Sequence, residues 1–176
     1  MKYLVLYKSI SGFTKKYAKW IADEMKAEIY PLKKIRKLEL NKYDKIIFGG
    51  SLHAVGINGI KKLKKYFSII DLNYLYIFAI GASPNQENLL TEIIENNFSA
   101  QEISKIKFYY FRGGFNFSKL NLSNKILMIL LRVKLSFKKN KNDDEKGMMA
   151  AFKQPVDFTK EEYISDLINV LKLSKT

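Results

Sequence analysis

The stretch YKSISGFTKKYAKWIA, residues 7–22, interrupts an apolar run with Ser-Ile-Ser-Gly-Phe-Thr and then resumes with apolar residues at helical spacing. Before the break, Lys2 to Tyr7 is rich in β-branched and aromatic residues and suits a buried strand. After it, Phe13, Tyr17, Ile21 and Met25 recur every four residues, with Ala18 and Ala22 beside them and lysines over much of the remainder. That pattern is an amphipathic helix. A strand, a short hydroxyl-rich loop and a helix N-terminus together make an anion site. The first helical amides have no intrahelical acceptor, and the helix dipole adds partial positive charge. Ser9, Ser11 and Thr14 offer hydroxyls, and Gly12 admits close approach of the backbone. The competing reading is an ordinary strand-to-helix turn capped by Ser11 or Thr14. Neither GxxxxGK[ST] nor GxGxxG occurs, so this is not a nucleoside-triphosphate loop or a standard dinucleotide fingerprint.

Outward from this turn, strands and helices alternate. Glu28 to Leu32 reads as a short strand, and 33–45 as a basic loop with one helical turn. IIFGG (46–50) is a buried strand followed by the loop SLHAVGING, and 60–70 carries a helical pattern. LYIFAI (75–80) is a strand closed by Gly-Ala-Ser-Pro, 86–97 a helix, and 106–111 a strand running into Arg112-Gly113-Gly114. The last helix, 160–173, is predicted to start at Thr159 with Glu162 completing a capping box. Near-continuous apolar strands alternating with helices imply an α/β fold: a doubly wound parallel sheet covered on both faces. Ligands in such sheets bind beyond the carboxyl ends of the strands. The loops 8–14, 51–58 and 112–118 fall there.

The chain has 176 residues, no repeat and no Pro/Gly/Ser linker, and reads as one domain over 1–176. Its opening residues, MKYLVLYKSISG, lack a small-residue cleavage site and are too short to span a bilayer, so they read as a strand and not as a signal peptide. With no cysteine, disulfides, thiolate metal sites and a Cys nucleophile are excluded. One histidine argues against a His-rich metal site or a Ser-His triad, and no metal is expected. The formal charge of +14 attracts polyanions: nucleic acid, anionic lipid headgroups or a polycarboxylate substrate. Lysine-rich composition also keeps a protein soluble. The aromatics and lysines form no recognised nucleic-acid motif, so no nucleic acid is expected.

YKSISGFT resembles the phosphate loop of the flavodoxin family, [ST]-x-[ST]-G-x-[ST], with Ser9, Ser11, Gly12 and Thr14 on its key positions. GGSLHAVG and RGGFNF are placed like the family's loops against the two faces of a flavin. The resemblance implies a flavodoxin-like five-stranded sheet in the order 2-1-3-4-5 and an FMN cofactor. Ser9, Ile10, Ser11, Gly12, Phe13 and Thr14 would then wrap the phosphate. Ser51, Leu52, His53 and Ala54 would border one side of the isoalloxazine, and Gly113, Gly114, Phe115 and Asn116 the other. His53 stands where the family often stacks an aromatic; an exposed loop histidine is the alternative.

Two features depart from acidic flavodoxin carriers: the basic surface, and an apolar-basic insertion of about 118–155 before the last helix. KILMILLRVKLSFKKNK is far short of the about 20 apolar residues needed to cross a bilayer. As a helix it suits an anionic membrane surface, an apolar carboxylated ligand, or packing on its own domain or a second copy, followed by a KNKNDDEKG turn. Insertion, charge and core together resemble the menaquinone-dependent protoporphyrinogen oxidases, bacterial flavodoxin-type enzymes of haem synthesis. That resemblance implies an FMN-dependent oxidoreductase taking electrons from a protoporphyrinogen-type tetrapyrrole, or another anionic apolar substrate, and passing them to a quinone. Arg112, Lys119, Lys125 and Arg132 are the candidate partners for substrate carboxylates, and no catalytic acid–base pair is evident. A cytoplasmic location, peripheral on the inner face of the membrane, goes with it. The alternative is a flavodoxin-like electron-transfer or FMN-binding protein serving a protein partner.

Overall fold

The computed structural model describes residues 1–173 apart from Asn121, Asn142 and Lys153; the side chains of Lys37, Lys119, Ser123, Asn124, Leu127, Asp143, Asp144 and Met148 lie outside the description. In chain order the elements are β1 (Tyr3–Lys8), α1 (Phe13–Met25), β2 (Glu28–Pro31), β3 (Lys45–His53), β4 (Gly56–Ile57), α2 (Ile60–Lys64), β5 (Leu75–Gly81), α3 (Glu87–Asn97) and α4 (Ala100–Ile103). There follow β6 (Lys107–Arg112), β7 (Gly114–Phe115), α5 (Leu122–Phe137), α6 (Asp143–Ala151), β8 (Val156–Asp157) and α7 (Ser165–Leu173). Short 3-10 turns at Leu32–Lys37 and Leu40–Lys42 occupy the basic connection after β2.

The five long strands pair in parallel in the order β2-β1-β3-β5-β6, the predicted order once the two-residue β4 is counted as a return of β3. Alternation along each strand splits the core in two. Leu4, Leu6, Ile46, Phe48 and Ile77 point to one face, where Leu63 of α2 and Ile93 of α3 cover them. Tyr3, Val5, Ile47, Tyr76 and Phe78 point to the other, under Tyr17 and Ile21 of α1 and Leu167 and Leu171 of α7. Each fully buried side chain of this kind stabilises by about 1.5–3 kcal/mol. Gly49 keeps the second face flat, since a Cβ there would lie 2.1 Å from the Phe78 ring.

Several elements differ from the expected ones. β3 runs on to His53 and folds back, pairing Leu52 with Ile57 and His53 with Gly56, so Ser51–Ile57 is a hairpin and not an open loop. Asn97 clamps it: its Oδ1 accepts the Ile57 amide at 2.8 Å and its Nδ2 donates to the Val55 carbonyl at 2.7 Å. The Thr159–Glu162 capping box does not form. The Thr159 amide and hydroxyl both bond Asp157 Oδ1, at 2.9 and 2.6 Å, and a 3-10 turn at Glu161–Ile164 precedes α7. A reciprocal box exists instead at α4, between Ser99 and Glu102. The helix read over 60–70 is regular only through Lys64. The polar stretch after α5 is largely helix, α6, joined back to α5 by a Lys138–Glu145 ion pair at 2.7 Å.

The insertion is closed at its base. β7 and β8 pair antiparallel, Gly114 with Asp157 and Phe115 with Val156, and the Gly113 carbonyl accepts the Phe158 amide at 2.8 Å. A segment of some forty residues thus leaves and re-enters the fold at one point beside the carboxyl end of the sheet.

Candidate functional site

The turn between β1 and α1 is preorganised by its own atoms. Gly12 takes φ of 101°, a left-handed conformation that a Cβ would strain, and its amide donates to Ser9 Oγ at 3.1 Å. No side chain caps α1. Thr14 is 1% exposed and its Oγ1 has no hydrogen-bond partner. A buried hydroxyl left unsatisfied costs about 1–3 kcal/mol, so such a group calls for an explanation. Here it lines a cleft of about 250 Å³ together with Ile10, Ser11 and Phe13. Ser9 and Gly12 do not line the cleft themselves; they hold the turn open behind it.

One wall of the cleft is the hairpin, through Ser51, Leu52, His53 and Ala54. His53 is largely exposed at the rim. Ala54 sits at the tip with φ of 50°, a region that non-glycine residues enter at a cost. The opposite wall is Gly114, Phe115 and Asn116. Gly113 supports that wall from behind: its amide donates to the Gly81 carbonyl at 2.7 Å, and a Cβ on it would lie 2.4 Å from Ile80.

Three cleft residues come from a place the sequence reading passed over. Ile80, Gly81 and Ala82, at the carboxyl end of β5, form part of the lining. The signal was present in the Gly-Ala-Ser-Pro break after an apolar strand, which puts backbone at the same sheet edge. Tyr110 fixes this turn by donating to the Ser83 carbonyl at 2.7 Å, and burial pushes its hydroxyl pKa up to about 12. Leu120 and Met128 complete the cleft from the insertion. Met128 shares a face of α5 with buried Leu135, one heptad on, and that spacing is the sign that would have found it.

The candidate cations fall elsewhere. Arg112 donates from Nε to the Ala82 carbonyl at 3.2 Å and lays its guanidinium 3.9 Å over the Phe158 ring. The Arg132 guanidinium lies 5.7 Å over Phe152. None of Arg112, Lys125 and Arg132 lines the cleft, and the Lys119 side chain lies outside the described residues. Lys125 and Arg132 sit three residues before and four after Met128 on α5, so helical phase alone does not keep them out; Arg132 is engaged by the Phe152 ring. The lining contains no carboxylate, and among the described residues no group of three His, Asp or Glu side chains is poised to hold a metal. No helix among them is long and apolar enough to cross a membrane.

The donor set fits a phosphate ester of a planar ring. An uncapped helix start, a glycine-opened turn and an orphaned hydroxyl would meet the dianion. Two walls from separate strand ends, apolar in their larger part, would flank the ring. Sheet order and site together define a flavodoxin-like α/β protein. A family model described as the flavodoxin domain matches residues 4–143, and the chain belongs to that family.

A stretch of 54 residues is 46% identical to an uncharacterized protein of Methanocaldococcus jannaschii, covering 30% of this chain and 36% of that one, so the match spans about a third of the relative. Among solved structures, Trp repressor binding protein from Bacillus subtilis superposes with a TM-score of 0.47 at 17% identity, over 80% of this chain and 100% of that chain. A flavoprotein in complex with FMN from Lactobacillus acidophilus gives a TM-score of 0.43 at 20% identity, over 63% and 92%.

Proposed function

We propose that this protein is a redox flavoprotein that holds FMN in the cleft at the carboxyl ends of β1, β3 and β5. The observation that carries the reading is the buried, unpartnered Thr14 hydroxyl beneath an uncapped helix N-terminus. Thr14, Ser11 and the first amides of α1 bind the phosphate. The hairpin wall and the Gly114–Asn116 wall orient the ring, while Leu120 and Met128 restrict water on the insertion side. When bound, FMN supplies hydride or single-electron transfer, which no side chain of the cleft can supply. Family membership and the complex of the Lactobacillus acidophilus flavoprotein with FMN support the cofactor.

The finer expectation is oxidation of a protoporphyrinogen-type tetrapyrrole with a quinone as acceptor. What supports it is an apolar cleft partly roofed by an insertion. The second reading is an electron-transfer flavoprotein serving a protein partner, and one observation favours it. A carboxylated substrate needs cations at its propionates, yet Arg112, Lys125 and Arg132 stand off the cleft. Anaerobic mixing of the FMN-loaded protein with protoporphyrinogen separates the two. Bleaching of the flavin at a rate that saturates with substrate, followed by recovery on adding a quinone, supports the oxidase. No bleaching, with prompt reduction by a flavodoxin reductase, supports the carrier. Failure of the purified protein to take up FMN removes both.

A further inference from the structure

α5 has an outward face that none of the described residues covers. Leu122, Ile126, Ile129, Leu130, Val133 and Phe137 are all exposed, from 47% for Ile129 to 82% for Phe137. At 3.6 residues per turn these six fall within an arc of about 100°. They run the full length of a 16-residue helix, from Leu122 at one end to Phe137 at the other. Leu135, on the opposite side, is buried at 6%, and Met128 beside it lines the cleft. The helix therefore has two apolar faces, one spent on its own fold and one open.

The margins of the open face are cationic. Lys125 and Arg132 follow one edge and Lys134 the other, and the 16-residue helix carries no acidic residue. Lys139 and Lys141 continue the charge beyond its end, while Lys138 is paired with Glu145. Single exposed apolar residues need no explanation, but an unbroken stripe does. We infer that α5 docks this protein on an anionic lipid bilayer surface, lying in the plane of the interface with its stripe among the acyl chains.

Length, shape and charge select that partner. The helix is about 24 Å long at 1.5 Å per residue, too short to span and suited to lie flat. Lysine and arginine at both edges reach up to lipid phosphates while their stems cover apolar surface. A second copy is disfavoured because each copy carries +14 and would bring like-charged margins together. A protein groove would have to be apolar and straight along the whole helix, with acidic rims on both sides, whereas a bilayer meets all three conditions at once. Docking this way leaves the inner, Met128-bearing face of α5 turned from the bilayer, so the cleft lies one helix diameter, roughly 10 Å, from the lipid. The inference rests on α5 alone and does not require FMN.

The test is flotation of the purified full chain with vesicles of phosphatidylcholine alone or mixed equally with phosphatidylglycerol. Wild type is expected to float with the mixed vesicles and not with phosphatidylcholine alone, and to be released as salt is raised. Leu122→Ser/Ile126→Ser/Leu130→Ser and Lys125→Glu/Lys134→Glu each lower the partition coefficient by about tenfold or more. All substituted side chains lie at the surface or half-exposed, and unchanged circular dichroism and FMN content confirm that the variants are folded. Absence of wild-type flotation overturns the inference without touching the flavin reading. So does equal flotation of wild type and both folded variants, or flotation that ignores lipid charge. A dimer in sedimentation velocity that the triple serine variant dissolves, without vesicle binding, assigns the stripe to a second copy and overturns it too.

Discussion

The Tyr17 hydroxyl donates to the Arg112 carbonyl at 2.8 Å, joining the second turn of α1 to the end of β6 across 95 positions of sequence. The same oxygen accepts the Lys160 amide at 3.2 Å. One phenol thus ties together the helix that starts at the phosphate-type turn, the strand end that leads into the far wall of the cleft, and the chain re-entering after the insertion. Its ring packs 5.2 Å from both Trp20 and Phe111, so the hydroxyl is held in place by the core.

Tyr17→Phe keeps the ring and removes the hydroxyl, leaving the Lys160 amide and the Arg112 carbonyl without this partner. The expected loss is about 1–3 kcal/mol in urea unfolding at neutral pH. Burial, outweighing the Lys160 amide, pushes the Tyr17 pKa up from 10.0 to about 12. The sign follows from linkage: the folded state favours the neutral phenol. Its contribution is therefore complete below pH 10.0 and lost as pH rises toward 12. The stability gap between wild type and variant should narrow across that alkaline window; a constant gap would show that Tyr17 does not titrate with folding.

Asp157→Asn probes the base of the insertion. Burial raises the Asp157 pKa, but the Thr159 hydroxyl and amide and the Lys16 ammonium, at 3.0 Å, outweigh it and hold the carboxyl below its ordinary 3.8. A lowered carboxyl stabilises the fold above 3.8, and that contribution disappears as pH falls through the folded-state value. Both partners are about half exposed, so solvent limits the ion pair to about 1 kcal/mol or less. Melting temperatures of wild type and variant should differ modestly near neutrality and converge in acid.

Gly114→Ala strikes the β7–β8 ladder. An added Cβ would lie 2.2 Å from the Val156 carbonyl oxygen and 2.7 Å from the Phe13 ring. Backbone cannot yield there without parting the ladder, and overpacking of this kind costs about 1–3 kcal/mol. Limited proteolysis should cut the variant within 116–155 well before wild type. Equal cleavage would mean that the two-residue ladder does not hold the insertion in solution.

The strands and the first turn are legible because both rest on local signals, while the strand order follows only from the flavodoxin resemblance. Apolar runs of strand length, a Ser/Gly break and a four-residue repeat from Phe13 to Met25 need no distant partner to be read. The β7–β8 pairing was not legible, since Gly114–Phe115 and Val156–Asp157 are two residues each and lie about forty apart. The hairpin at Ser51–Ile57 was hidden for a related reason: its turn, Ala54-Val55, has none of the usual glycine or asparagine, and Asn97 from α3 supplies the clamp. Residue type marks Arg112 and Arg132 as cations but not that the Ala82 carbonyl and the Phe158 and Phe152 rings engage them away from the cleft. Leu120 precedes α5 and carries no sequence mark of the face it serves, whereas Met128 is marked only by its heptad spacing to Leu135.

Titration of FMN against apoprotein, followed by quenching of flavin fluorescence, tests the phosphate site most directly in wild type and Thr14→Val. Valine matches threonine in shape and removes the one buried side-chain hydroxyl that lacks a partner among the described residues. The account predicts opposite signs: the apoprotein unchanged or slightly more stable, and FMN bound about 10–100-fold more weakly, as for loss of a hydrogen bond to a charged group. Equal FMN affinity in the two proteins, or no FMN binding by wild type, would contradict it.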